Sequence, residues 1–262
     1  MQVPGSHAVI TGASRGIGES IARELAKRGA LVTLVARNEI AITHLAKDLG
    51  GHHVAADLAD PTQVDGLMAR CEKAAGRPVD ILVNNAGIDV TKRFTDMTAA
   101  EVADIHQINL ISPIELCRQL IPGLIERGSG HIVNVSSMAS SAGFPGLSVY
   151  CSTKAGLSQF TRVVRQDLKD TPVKLTAVEI GPVPTDMLAN VNDYSPTDRS
   201  FARFRHLHVM PIVPRERVAQ HTANAIERDK NAVWLPKRAG VFPFITSIPQ
   251  RITALIIRDI KP

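Results

Sequence analysis

Tyr150 and Lys154 stand four residues apart, and Ser137 precedes them by thirteen and seventeen positions. If Tyr150 opens a helix, Lys154 falls one turn later on the same face, within reach of the phenol. An ammonium at that distance favours the phenolate and turns an inert phenol into a usable acid or base. A bare Tyr-x-x-x-Lys is equally a surface pair on an amphipathic helix, so the rest of the chain has to decide.

A second chemical feature lies near the start. Thr11-Gly12-Ala13-Ser14-Arg15-Gly16-Ile17-Gly18 joins a first strand to a first helix. Glycines at 12, 16 and 18 let the backbone turn tightly and approach a pyrophosphate resting on the amides of the helix N-terminus. The spacing is Gly-x-x-x-Gly-x-Gly, and such a loop can also serve only to start a helix. Its place between a strand and an apolar-periodic helix favours a dinucleotide. At the end of the second strand, Ala36-Arg37 stands where a carboxylate would bond both ribose hydroxyls of NAD. Arg37 and Arg15 together suit a 2′-phosphate, so NADP(H) is preferred over NAD(H). Asp57, with Leu58 beside it, follows the third strand and is placed to accept from an adenine amino group. Asn84-Asn85-Ala86-Gly87 closes the fourth strand, and its small and amide side chains suit a wall against the adenine ribose.

The elements that must position these groups are legible as alternating patterns. Strands are predicted at His7–Thr11, Leu31–Ala36, His53–Ala56, Val79–Val83, His131–Val135 and Val173–Ile180, with Val233–Leu235 as a candidate seventh. Helices are predicted over Ile17–Lys27, around Ile42, Leu45 and Leu49, after an Asp60-Pro61 start, over Ala99–Glu126 and over Val149–Lys169. This alternation implies an α/β fold, one doubly wound parallel sheet with helices on both faces. The 262 residues read as a single domain, with a substrate loop at about 183–213 and an apolar C-terminal arm at about 236–262. Five prolines between Pro182 and Pro214 mark the loop as a lid or binding segment, or else a partly disordered surface loop.

Composition excludes several classes. Hydrophobic content is 44% and the net charge is +5, from basic residues that form no long run, so nucleic acid is set aside as a partner. Three cysteines without Cys-x-x-Cys spacing argue against a disulfide framework or a zinc site and suggest a reducing, cytoplasmic setting. No His-Glu-x-x-His occurs, no secretory leader precedes His7, and no apolar run is long enough to span a bilayer.

Over almost the whole chain, up to about Trp234, these residues resemble the short-chain dehydrogenase/reductase family. Thr11–Gly18, Asp57, Asn84–Gly87, Asn109, Ser137, Tyr150 and Lys154 fall in the family's order and approximate spacing. The resemblance implies a Rossmann-type fold and a catalytic tetrad of Asn109, Ser137, Tyr150 and Lys154. Tyr150 would exchange a proton with a carbonyl or alcohol oxygen that Ser137 holds. Lys154 would lower the phenol's pKa and bond the nicotinamide ribose. Asn109, in mid-helix, would hold a water linking Lys154 to solvent; an isolated Asn there could also simply kink the helix. Gly181, Val183 and Thr185 would meet the nicotinamide end, with Ile180 replacing a proline usual in the family. Ser136 competes with Ser137, and the spacing to Tyr150 favours Ser137.

The resemblance further implies a homodimer or homotetramer acting on a small-molecule carbonyl or alcohol. Basic residues typical of relatives that reduce acyl-carrier-protein thioesters fall on Gly128 and Thr171, although Arg127 is adjacent. Phe144, Leu147, Met187, Leu188, Phe201 and Phe204 suggest a lipophilic substrate, or plain core packing. The arm around Phe242–Ile257, edged by Arg251 and Arg258, reads as a subunit interface, a cover over the cleft, or a shallow membrane contact.

Overall fold

In the computed structural model, β1 (His7–Thr11) lies near the middle of a seven-stranded parallel sheet of order β3-β2-β1-β4-β5-β6-β7. The other strands are β2 (Leu31–Ala36), β3 (His52–Ala55), β4 (Ile81–Asn84), β5 (Gly130–Ser137), β6 (Val173–Ile180) and β7 (Ala232–Leu235). The structure describes residues 1–207, 210–237 and Leu255; the rest of the expected C-terminal arm lies outside the described residues. β1 is buried along its whole length, as a parallel strand covered on both faces must be. The order reverses between β1, paired with β2, and β4, so the carboxyl ends of β1 and β4 flank the crevice where such sheets bind ligands.

Two apolar layers cover the sheet. On one face α1 (Gly16–Lys27), α2 (Glu39–Leu49) and α10 (Arg215–Glu227) bury Ile21, Leu25, Ile42 and Val218 against Ala8, Ile10 and Val133. On the other, α4 (Leu67–Ala75), α6 (Ser112–Glu126) and α7 (Ser148–Asp167) place Leu67, Leu116, Leu124 and Phe160 over Val9, Leu82 and Ile132. Polar side chains within the sheet find one another, as in the 2.8 Å bond between His7 Nε2 and Thr33 Oγ1.

Four parts of the fold differ from expectation. The helix begun at Asp60-Pro61 ends after one turn as α3 (Pro61–Val64), and α4 starts anew beyond Gly66, whose φ of +62° no α-helix accommodates. The helix expected over Ala99–Glu126 is α5 (Ala99–His106) and α6, joined by a π-helical segment at Gln107–Ile111. The Pro182–Pro214 excursion is largely helical, carrying α8 (Asp186–Asn192) and α9 (Ser195–His206). Pro196 sits in the first turn of α9, where its missing N–H costs nothing. α10 had not been expected. No helix among the described residues is long and apolar enough to cross a membrane.

Candidate active site

β1 delivers Thr11 and the glycine loop to the crevice. The N-cap residue of α1, Arg15, is extended and its side chain makes no capping bond, so the first-turn amides remain donors for an anion. Gly12 has φ of +65°, and a Cβ on it would come 2.8 Å from the Ala86 Cα. A Cβ on Gly18 would overlap the Gly12 carbonyl oxygen. Only glycine at both positions lets the loop lie directly on the end of β4. Asn85 braces the contact, its Nδ2 donating to the Thr11 and Gly12 carbonyls at 3.0 and 3.3 Å. Gly16 approaches Thr185 from the other side; a Cβ there would stand 3.4 Å from Thr185 Cγ2. This cradle of small residues and open amides fits a dinucleotide diphosphate.

The two guanidiniums flank the cradle. Arg37 Nη1 lies 3.9 Å from Asp57 Oδ2 at the β2–β3 end, a loose pair with the Arg37 side chain 65% exposed. Asp57 also accepts from the Ala59 amide, and its own amide donates to Gln63. Arg15 bonds Asp186 of α8 at 2.5 Å, bridging the glycine loop to the segment after β6. Leu58 is buried, and its carbonyl accepts from Ser112 Oγ at 2.7 Å. Ser14 and Ile17 complete the loop, and Ile17 also reaches the cavity described next.

That cavity, of about 100 Å³, is walled by Ser137, Tyr150, Phe144, Leu147, Leu188 and Phe201, and Asp89, Gly181, Val183 and Thr185 also line it. Phe204 stands behind it, edge-on to Phe144 with centroids 5.5 Å apart. The Ser137 and Tyr150 side chains line this cavity together; Ser137 Oγ donates to the Ile180 carbonyl at 3.4 Å and accepts from the Ala139 amide at 3.1 Å. Ser136, one residue earlier on β5, faces the opposite way, bonding the Lys154 carbonyl and Ser158 Oγ. Lys154 Nζ donates to the Val135 carbonyl at 3.0 Å and lies 5.7 Å from the centroid of the Tyr150 ring.

Asn109 is fully buried in the π segment. Its carboxamide clasps the Ile88 backbone, accepting from N and donating to O, each at 2.8 Å. A Cβ on Gly87 would fall 3.3 Å from Asn109 Oδ1 and 3.5 Å from Lys154 Nζ, so both polar tips converge on the Gly87 backbone. A π bulge with its wider turn is a recurring way to present a side chain at a site.

The electrostatics depart from the expectation of a lowered phenol. Burial pushes Tyr150 upward, with a smaller opposing effect from Ser137. Burial lowers Lys154 to about 8, partly offset by Glu179. Within the protein alone, desolvation of the phenolate dominates, and the acidic groups Asp89 and Glu179 act in the same direction. Glu179 is itself buried on β6, accepting from Ser158 and Ser140 at 2.6 and 3.0 Å. Sequence reasoning missed Glu179 and Asp89. An acidic residue inside the apolar run of β6, and another just past the Asn-Asn-Ala-Gly turn, were the available signals.

The chain matches the short chain dehydrogenase family over residues 6–195 and belongs to it. It is 39% identical over 179 residues to the ketoacyl reductase HetN of Nostoc sp., an alignment covering 66% of this chain and 62% of that protein. It is 34% identical to the 3-oxoacyl-[acyl-carrier-protein] reductase FabG of Vibrio cholerae, over 74% of this chain and 80% of that one. Identity to the 3-ketodihydrosphingosine reductase of Mus musculus is 32%, over 76% of this chain and 62% of the relative. Among solved structures, a short-chain dehydrogenase from Streptomyces avermitilis superposes with a TM-score of 0.78 at 26% identity, covering 97% of this chain and 96% of that chain. A metagenomic short-chain oxidoreductase in complex with NADP gives 0.71 at 27% identity, covering 89% of this chain and 97% of that one.

Proposed function

We propose that this protein is an NADP(H)-dependent carbonyl reductase acting on a lipophilic ketone or aldehyde. The observation that carries the reading is that Ser137 and Tyr150 meet at the wall of one largely apolar cavity, which Ile17 of the glycine loop also lines. The cofactor would supply the hydride, held by the Gly12–Gly18 loop, the Asn85–Gly87 turn and the Gly181–Thr185 segment. A substrate carbonyl oxygen would accept one bond from each hydroxyl. Tyr150 then gives its proton to that oxygen as negative charge builds on it, and Ser137 holds the oxygen in place. A phenol kept protonated by burial is an acid ready for the reductive direction. Lys154, with Nζ 5.7 Å from the ring centroid, offsets the charge left on Tyr150. Asn109 holds the Gly87–Ile88 backbone, and through it the wall shared by Lys154 and the nicotinamide ribose.

NADP(H) is favoured by Arg37, which stands at the β2 end with no carboxylate of its own strand beside it, and by Arg15. The relatives that reduce oxoacyl thioesters suggest a second substrate class. Arg127, the basic residue nearest the expected acyl-carrier position, donates instead to the Val79 carbonyl at 2.6 Å, which favours a free carbonyl substrate. Loss of NADPH absorbance with ketones, aldehydes and acyl thioesters tests the reading, with Tyr150→Phe as control. Turnover of ketones should fall at least about 100-fold in Tyr150→Phe while NADP⁺ still binds, the range for losing a general acid. Equal activity in that variant would reject the assignment.

A further inference from the structure

We propose that Asp89 is a specificity residue, selecting carbonyl substrates that carry a protonated amine close to the reacting carbonyl. The inference deepens the carbonyl-reductase reading and rests on it. Asp89 lies two residues beyond Gly87, on the turn that Asn109 clasps at Ile88, and it lines the same cavity as Ser137 and Tyr150. Its Oδ2 accepts from Thr91 Oγ1 at 2.6 Å. Its Oδ1 is buried and has no hydrogen-bond partner among the described residues. The neighbouring walls, Phe144, Leu147, Leu188 and Phe201, offer no donor.

A carboxylate oxygen hidden in an apolar wall is costly to leave unpaired. Burial accordingly raises the Asp89 carboxyl, and its charge is felt at both Tyr150 and Cys151. A ligand that brings a donor removes this penalty. An ammonium does so best, because it adds a charge-assisted bond and cancels the field that Asp89 exerts on the site. The carboxyl and the two hydroxyls line one cavity of about 100 Å³, so a small amino ketone can meet all three.

The test compares a 1-amino-2-alkanone with the 2-alkanone of equal length, NADPH being the reductant, in wild-type protein, Asp89→Asn and Asp89→Leu. Wild type should favour the amino ketone in kcat/KM by about 10- to 100-fold, the range set by one hydrogen bond to a charged group. Both variants should bring that ratio close to unity. A binding readout free of turnover uses the matching amino alcohol, which should raise the Tm of wild type in the presence of NADP⁺ but not that of Asp89→Leu. Reduction of both ketones with equal efficiency by wild type, or a preference retained in Asp89→Leu, overturns the Asp89 assignment alone. A preference for the 1-hydroxy-2-alkanone over the amine, lost in Asp89→Leu, overturns the cationic choice. No NADPH consumption with any ketone, aldehyde or thioester overturns the reductase reading and this inference with it.

Discussion

Thr11 Oγ1 accepts hydrogen bonds from the backbone amides of both Asn85 and Ala86, at 3.0 and 3.1 Å. One buried hydroxyl thus stitches the end of β1 to the turn after β4, across the crevice where the sheet order reverses. Asn85 returns the favour through its carboxamide, and the glycine loop is held against β4 from both sides.

Thr11→Val keeps the shape and removes the acceptor. Two amides would lose their partner, a cost on the order of 2 kcal/mol. We expect a lower midpoint in urea with an unchanged slope, together with weaker dinucleotide binding by titration calorimetry.

Gly18→Ala places a methyl group against the Gly12 carbonyl oxygen and Asn85 Nδ2, neither of which is the free end of a flexible chain. Backbone displacement there should cost about 1–3 kcal/mol. The expected outcome is loss of dinucleotide binding while the far-ultraviolet circular dichroism still reports a folded α/β protein.

Lys154 is the residue whose removal should help the fold and harm the chemistry. Its buried amine titrates near 8 instead of the ordinary 10.5, so the unfolded chain binds the extra proton between those values. The stability lost to burying the charge is therefore fully lost below pH 8 and is recovered as pH rises towards 10.5. At pH 7 this cost is on the order of 3 kcal/mol. Lys154→Met should then melt several degrees higher at pH 7 and show little gain near pH 10.5. Its carbonyl reduction should be almost abolished. A variant less stable than wild type at pH 7 would show that the amine is not carrying a buried charge.

The same titration predicts the pH profile of reduction. Lys154 sheds its charge as pH rises through about 8, while Tyr150 keeps its proton because burial lifts it. At saturating NADPH, kcat should decline above pH 8. Residual activity in Lys154→Met should lack that limb.

Arg37→Asp should reduce the ratio of NADPH to NADH efficiency by about tenfold or more, since it replaces a donor to a 2′-phosphate with a like charge beside Asp57. An unchanged ratio would reject the phosphate role.

Much of this was legible because parallel strands buried on both faces advertise themselves as short β-branched runs, as Leu31–Ala36 and Val173–Ile180 do. The glycine loop and the Tyr150 helix were legible because their chemistry demands fixed spacing. The break at Gly66 was hidden, since one glycine within an otherwise helical pattern reads as tolerable. Pro196 was taken as a mark of loop, although proline is equally at home in a first helical turn, where α9 uses it. Asp89 and Glu179 left little trace because a buried acid is recognisable only by what surrounds it, and those neighbours come from distant parts of the chain. The direction of the Tyr150 shift escaped for the same reason: the neighbouring charge is local in sequence, whereas desolvation is a property of the whole fold.

A wide turn such as the π segment at Gln107–Ile111 accommodates one residue more than regular α-helix while leaving the helices before and after it nearly in phase. Excising that residue would restore an ordinary continuous rod and swing the Asn109 amide away from Ile88, so the polar clasp exists only because the helix widens there.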